Sequence, residues 1–132
     1  MATNELRFAR MFQLWEFTVG HKQLLLRSTK DDRFRTRVDV YFKNVAVVNL
    51  PTICHGLTIS EADGAQQQDL LSQVSQTGLS AGKVFLIRGD RFTGYVIAGF
   101  MDWHEDELEY DDPSKFVLHP ADFKGLTPPA RA

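Results

Sequence analysis

The sequence predicts an α+β fold that is mainly β: a curved antiparallel sheet or partly open barrel of about six to seven strands, with one helix near 63–77. Runs rich in aromatic and β-branched residues follow one another across short turns, as in successive hairpins. Gly94 and Gly99 lie inside the last of these runs and predict the bend or bulge by which a sheet curls. Parallel, doubly wound folds are disfavoured because they require helices alternating with strands.

Three hairpins are predicted, at about 12–27, 38–50 and 84–103. In the first, Gly20-His21-Lys22 has the length and the glycine of a hairpin loop. In the second, apolar residues alternate with polar ones over 38–43, and Lys43-Asn44 supplies a two-residue turn before the run 45–50. In the third, Gly89-Asp90 forms the turn.

The helix is predicted from a change in hydrophobic period. Leu70, Leu71 and Val74 are spaced as on one face of a helix. Asp63 followed by Gln66 fits the capping-box spacing at the start, and Gly78 suits the residue after the end. A short strand at 56–59 is expected before it.

Length and composition predict one globular domain over 1–126, followed by a disordered tail at 127–132. The chain has 132 residues, of which 43% are hydrophobic, a composition outside the disordered class. Its one cysteine, Cys54, favours a reducing compartment. Charges interrupt the apolar runs near the start, and no run is long enough to cross a bilayer, so we expect a cytoplasmic protein without membrane association.

The net charge is only −2, but the charges are segregated. Residues 1–50 contain nine Lys or Arg and five Asp or Glu, whereas residues 102–132 contain three and eight. Such asymmetry can mark a surface for a partner. We favour the other interpretation, two neighbouring faces of one domain that attract each other.

The acidic segment 102–112 is the most conspicuous candidate site. Its carboxylates and aromatic side chains resemble the charged rim and apolar anchors of a protein interface. The predicted partner-binding residues are Trp103, His104, Glu105, Asp106, Glu107, Glu109 and Tyr110. The alternative is a divalent cation held by His104, Glu105 and Asp106, although no metal-binding motif is present and the prediction is no metal and no cofactor.

The opposite charge is concentrated in a basic patch whose members are Arg27, Lys30, Arg33, Arg35 and Arg37. If 33–37 is extended, its three arginines project from one face, a geometry that grips phosphates. Nucleic-acid binding is nonetheless disfavoured, because the chain is acidic overall and carries no recognisable binding module. Pairing with the acidic segment is the favoured interpretation.

These observations favour a non-enzymatic protein-protein interaction module, comparable to a small acidic inhibitor-like protein, with an unidentified protein partner. The alternative is an enzyme or a small-ligand-binding β-barrel whose site combines His104 and the acidic segment with His21 or His119. Cys54-His55 is a poor nucleophile and base, because successive residues of an extended chain point to opposite sides. No catalytic or cofactor motif occurs in the sequence.

Overall fold

The computed structural model describes residues 5–73 and 82–116. They form one antiparallel, eight-stranded sheet that is not closed, with one helix, in agreement with the predicted class. In chain order the elements are β1 (Leu6–Thr18), β2 (Gln23–Ser28), β3 (Arg37–Lys43), β4 (Val47–Asn49), β5 (Ile53–Glu61), α1 (Gly64–Gln73), β6 (Lys83–Gly89), β7 (Phe92–Ala98) and β8 (Phe100–Asp106).

The strands lie in the order β4-β7-β6-β5-β1-β2-β3-β8. Strand β8 follows β7 directly in the chain, with only Gly99 between them. In the sheet, however, β7 is the second strand and β8 is the last. The amide of Gly99 donates to the carbonyl of Lys43 at 2.9 Å, which holds the bend against the end of β3. The sheet thus curls, and its concave face encloses the main core.

That core is built from the alternating apolar residues of the strands. Phe12, Leu24, Val40 and Phe42 are fully buried within it, because every second side chain of a strand points to the same face. The helix covers the outer face beside β6 and β7, where Leu70 packs with Val84 and Ile97. No helix in the described part of the chain combines the length and the apolar character needed to cross a membrane.

The first predicted hairpin is confirmed. Strands β1 and β2 pair from Gln13 with Arg27 to Thr18 with Gln23, with a bulge between Leu14 and Glu16. The predicted capping box is also present, since Asp63 and Gln66 each accept the other's backbone N–H at 2.9 Å. The predicted residues 74–77 of the helix, its Gly78 cap and the tail at 127–132 lie outside the described residues.

The second predicted hairpin is wrong. Asn44 does adopt a positive φ of 57°, but the chain then leaves β3 instead of folding back on it. Strand β3 pairs with β2 and β8, and β4 pairs with β7. The amide of Ala46 donates to the carbonyl of Ile97 on β7 at 2.7 Å. After β3 the chain therefore passes to β4, which lies at the opposite edge of the sheet.

The third hairpin is confirmed for β6 and β7 only. Residues 100–103, predicted as the continuation of the same arm, instead belong to β8, which runs to Asp106 and pairs with β3, so the predicted bend at Gly99 divides the arm. Gly94 has a separate role. A Cβ there would overlap the carbonyl oxygen of Asn49, so glycine permits the close approach of β4 to β7.

Candidate protein-binding surface

Two buried arginines hold the loop that follows β8, residues 107–113, against the outer face of the sheet. Arg37 is fully buried, and its Nε and Nη2 donate to the two carboxylate oxygens of Asp106, both at 3.1 Å. Its Nη1 donates to the carbonyls of Glu109 at 2.9 Å and Asp112 at 2.7 Å, and Nη2 also donates to Pro113 at 3.2 Å. A guanidinium has five N–H donors, and Arg37 makes five hydrogen bonds, all to 106–113.

The second arginine, Arg27, is 2% exposed and forms a bidentate pair with Asp39 at 2.7 and 3.0 Å. Its Nη1 donates to the carbonyl of Tyr110 at 2.8 Å, and its guanidinium lies 5.1 Å from the ring centre of Trp15. Both arginines therefore donate to backbone carbonyls of one loop. Arginine suits this role because its planar fork binds a carboxylate and further acceptors at once.

Aromatic packing fixes the chain just beyond this loop. The rings of Tyr41 and Phe116 are stacked with centroids 4.6 Å apart, and the Tyr41 hydroxyl accepts a hydrogen bond from the side-chain amide of Gln23 at 2.8 Å. Leu25 and Trp15 complete this small cluster on the outer face. Residues 107–116 are thus anchored by two arginines at one end and by a ring stack at the other.

Several carboxylates of the segment organise the loop itself. Asp106 accepts the N–H of Leu108 at 3.0 Å, and Asp112 accepts that of Glu109 at 2.8 Å, in the manner of turn-forming aspartates. Lys30 donates to the Glu107 carbonyl at 2.9 Å and to the Glu109 carboxylate at 2.8 Å. The prediction that the basic and acidic regions pair within the molecule is confirmed by Lys30–Glu109 and Arg37–Asp106.

What the loop presents outward is a set of side chains that we call the acidic ledge: Glu107, Leu108, Glu109, Tyr110 and Asp111. All five are exposed, with Tyr110 at 59% and Leu108 at 45%. Among the described residues, the side chains of Glu107 and Asp111 make no hydrogen bond or ion pair. The ledge therefore combines three carboxylates, of which Lys30 contacts one, with an aromatic and an aliphatic side chain.

The other predicted partner-binding residues lie elsewhere. Trp103 pairs with Val40 and lies on the concave face, where its ring meets that of Phe8 edge-on at 5.4 Å. His104 and Asp106 lie on the outer face, with His104 Nε2 3.6 Å from the Asp106 carboxylate. Glu105 lies on the same face as Trp103 and accepts a hydrogen bond from the Thr36 hydroxyl.

The alternative cation site does not assemble. Because successive residues of a strand alternate between faces, Glu105 points away from His104 and Asp106. No group of three His, Cys, Asp or Glu side chains within 5–73 and 82–116 is arranged to hold a metal ion. His119, named for the enzyme alternative, lies outside those ranges, and His21 is exposed in the β1–β2 turn.

The basic patch does not form one surface. Residues 33–36 are a bend rather than an extended strand, so the condition under which Arg33, Arg35 and Arg37 would project from one face is not met. The physical reason is local: Asp31 accepts the N–H groups of Arg33 and Phe34 at 2.7 and 3.0 Å, which closes a turn. Arg33 and Arg35 are exposed, whereas Arg27 and Arg37 are buried beneath the ledge.

Cys54 has no activating base in the described structure. Its side chain is buried in the core, with its Sγ 3.5 Å from the carbonyl oxygen of Pro51. Burial raises the pKa of this thiol above its ordinary value, which disfavours the nucleophilic thiolate. His55 is exposed on the opposite side of β5, as the alternation predicts.

A third arginine, Arg10, was not singled out by the sequence and closes one end of the concave face. It is 8% exposed and donates to the Ser28 hydroxyl at 2.7 Å and to the Thr36 carbonyl at 2.5 Å, while its guanidinium lies 4.2 Å from the ring centre of Phe34. Burial lowers the pKa of Arg10, and Glu105 and Asp31 oppose that shift. Arg10 stays charged, and its donors are used inside the fold.

The described structure also contains a groove of about 530 Å³ beside β8, which sequence reasoning missed. Leu6, Phe85 and Met101 contribute its apolar lining, and Glu5, Glu61 and Lys83 contribute charged groups. It lies on the concave side and away from His104. No contiguous motif marks it, because β1, β5, β6 and β8 bring its residues together from four separate parts of the chain.

No family model, no curated protein and no solved structure matches this chain. The functional argument therefore rests on the geometry of the residues alone.

Proposed function

We propose that this chain is a non-enzymatic protein-interaction module that binds a basic surface of a partner protein through the acidic ledge. The observation that carries the proposal is the anchoring of the loop: Arg27 and Arg37, both buried, donate to four of its backbone carbonyls. A surface whose backbone is already ordered loses less conformational freedom when a partner binds. The backbone of the ledge is thus preorganised for binding in the free protein.

The side chains of the ledge define the chemistry of that partner. Glu107, Glu109 and Asp111 place three carboxylates within five residues, so the complementary surface carries lysine or arginine, and the attraction speeds encounter. Tyr110 supplies a large, half-polar anchor of the kind that dominates interface energies, with Leu108 beside it. Screening by salt weakens such an attraction, so we expect the association to weaken as ionic strength rises.

The test is capture of partner proteins by the wild type and by a charge-reversed variant, Glu107→Lys/Asp111→Lys. These two residues are chosen because neither side chain makes a hydrogen bond or ion pair within the described part of the chain, so their replacement leaves the anchoring intact. Captured proteins are identified by mass spectrometry, and the affinity of each is then measured with the purified partner. We expect binding to weaken about tenfold or more, equivalent to about 1.4 kcal/mol.

The matched control is Asp69→Lys/Asp90→Lys, which reverses two exposed aspartates on the helix and at the β6–β7 turn. It changes the net charge by the same amount, so it separates local from overall charge. We expect it to keep the partner at wild-type affinity. Equal capture of the same proteins by both variants would contradict the proposal.

A further inference from the structure

We infer that the free edge of β8 binds an extended segment of the partner by strand addition, with the segment lying in the adjacent groove; this inference rests on the proposed function. In the described sheet β8 pairs with β3 alone and is the last strand. Strand β6 begins at Lys83, opposite Ala98, so its ladder ends before the first residue of β8. Within residues 5–73 and 82–116, no strand pairs with the other edge of β8 beside Phe100, Met101 and Asp102.

A side-chain hydrogen bond shows which backbone groups face that edge. The N–H of Trp103 donates to the Asp102 carboxylate at 2.8 Å, so this N–H does not enter the ladder with β3. In an antiparallel strand, alternate residues direct their N–H and C=O groups to the same side. The backbone groups of Met101 therefore lie on the open edge as well, where an added strand would pair with them.

The groove beside this edge has the lining that an extended peptide requires. Met101 forms one wall, while Leu6 and Phe85 provide apolar surface across from it. Phe100, 47% exposed, stands at the rim. The contact between Phe8 and Trp103 bounds the groove further along β8. A strand rises about 3.3 Å per residue, so the open stretch accommodates a short segment whose apolar side chain enters between these walls.

The charges around the groove favour the same basic partner. Asp102 brings a carboxylate to the edge and Glu61 brings one to the far wall, and Lys83 is the cation that lines the groove among the described residues. The Glu5 carboxylate forms ion pairs with the guanidinium groups of Arg7 at 3.0 Å and Arg88 at 3.6 Å. The segment that fits has an apolar residue flanked by lysine or arginine. It approaches as a strand, because the groups it meets are the alternating donors and acceptors of a sheet edge.

The test uses an array of synthetic eight-residue peptides in which Val, Ile, Leu or Phe alternates with Lys, Arg or Thr, together with N-methylated copies that lack every second amide donor. We expect a subset to bind the full chain. Binding should slow hydrogen exchange of the Met101 amide about tenfold or more, whereas the Asp102 amide, on the side of β3, should not change. For each binding peptide, one copy is N-methylated at the odd-numbered residues and the other at the even-numbered residues. One copy should lose binding and the other should keep it, because an added strand pairs with β8 through only one of its two edges.

The variant Met101→Pro removes the edge donor without removing a ladder donor to β3, and Met101→Ala is its matched control because it shortens the same side chain and keeps the N–H. Peptide binding should be at least about tenfold weaker in the proline variant than in the alanine variant. Equal binding by the two, binding without protection of Met101, or no binding peptide in the array would overturn strand addition. If strand addition fails in this way but the variant Glu107→Lys/Asp111→Lys still loses a protein partner, the proposed function stands.

Discussion

Replacing Arg37 by leucine is expected to lower the free energy of unfolding by about 3–5 kcal/mol, the usual cost of removing one partner from a buried ion pair. The substitution leaves the Asp106 carboxylate without its bidentate partner and removes the donors to the carbonyls of Glu109, Asp112 and Pro113. Urea unfolding measures the change, since the midpoint falls at constant slope when stability alone is altered.

The matched control is Arg35→Leu, because Arg35 is exposed and lies two residues before Arg37, in the bend that precedes β3. An exposed substitution without specific contacts changes stability by about 0.5 kcal/mol or less. Similar small losses for both variants would show that Arg37 does not hold the segment in the way the structure describes.

Replacing Asp39 by leucine is expected to cost a similar amount, about 3–5 kcal/mol, because it leaves the Arg27 guanidinium buried without its carboxylate. Asp39 is 1% exposed, so water cannot take the place of the lost partner. The double variant Arg27→Met/Asp39→Leu removes both charges, and we expect it to be more stable than Asp39→Leu alone. Thermal and urea unfolding of the wild type, Arg27→Met, Asp39→Leu and the double variant measures the coupling between the two side chains.

A double variant no more stable than the single one would contradict this account of Arg27. It would mean that the hydrogen bond to Tyr110 and the contact with Trp15 stabilise the fold more than the charge pair does.

The strands and the helix start could be predicted because their signals are local. Alternation over 38–43 identified β3, and the spacing of Asp63 and Gln66 identified the start of α1. Which strands pair with one another could not be predicted from such local signals. Asn44 has the conformation that a tight turn requires, yet β3 pairs with β8, which lies more than fifty residues further along the chain. Turn chemistry predicted a reversal of the chain but not which strand it would reach.

The candidate site was predicted in part for a similar reason. The charge segregation indicated that the basic region 1–50 and the acidic region 102–132 attract each other, and the ion pair of Lys30 with Glu109 confirms this. The sequence could not show that Arg27 and Arg37 would be buried, because an arginine in a strand ordinarily indicates a solvated face. The outer face of β3 is instead covered by the loop that these arginines bind. Leu108 and Asp111 were missed because their exposure depends on how that loop is anchored.

Trp103 shows the limit of reading a charged run as one surface. It lies within the acidic segment, but the alternation of β8 directs it to the concave face against Phe8. Residues 102–106 are strand and 107–111 are loop, so the segment does not form one surface: its loop part is the acidic ledge, and its first residue, Asp102, lies at the open edge of β8 beside the groove. We propose that one partner uses both.

The central claim, that two buried arginines hold the ledge as a fixed surface, is tested most directly by backbone ¹⁵N relaxation of residues 107–112 in the free protein. We expect order parameters of about 0.85, the value of rigid backbone, close to those of β3 and β8. Order parameters below about 0.6 at these residues would show a flexible loop and would contradict both the anchoring and the prepared binding surface.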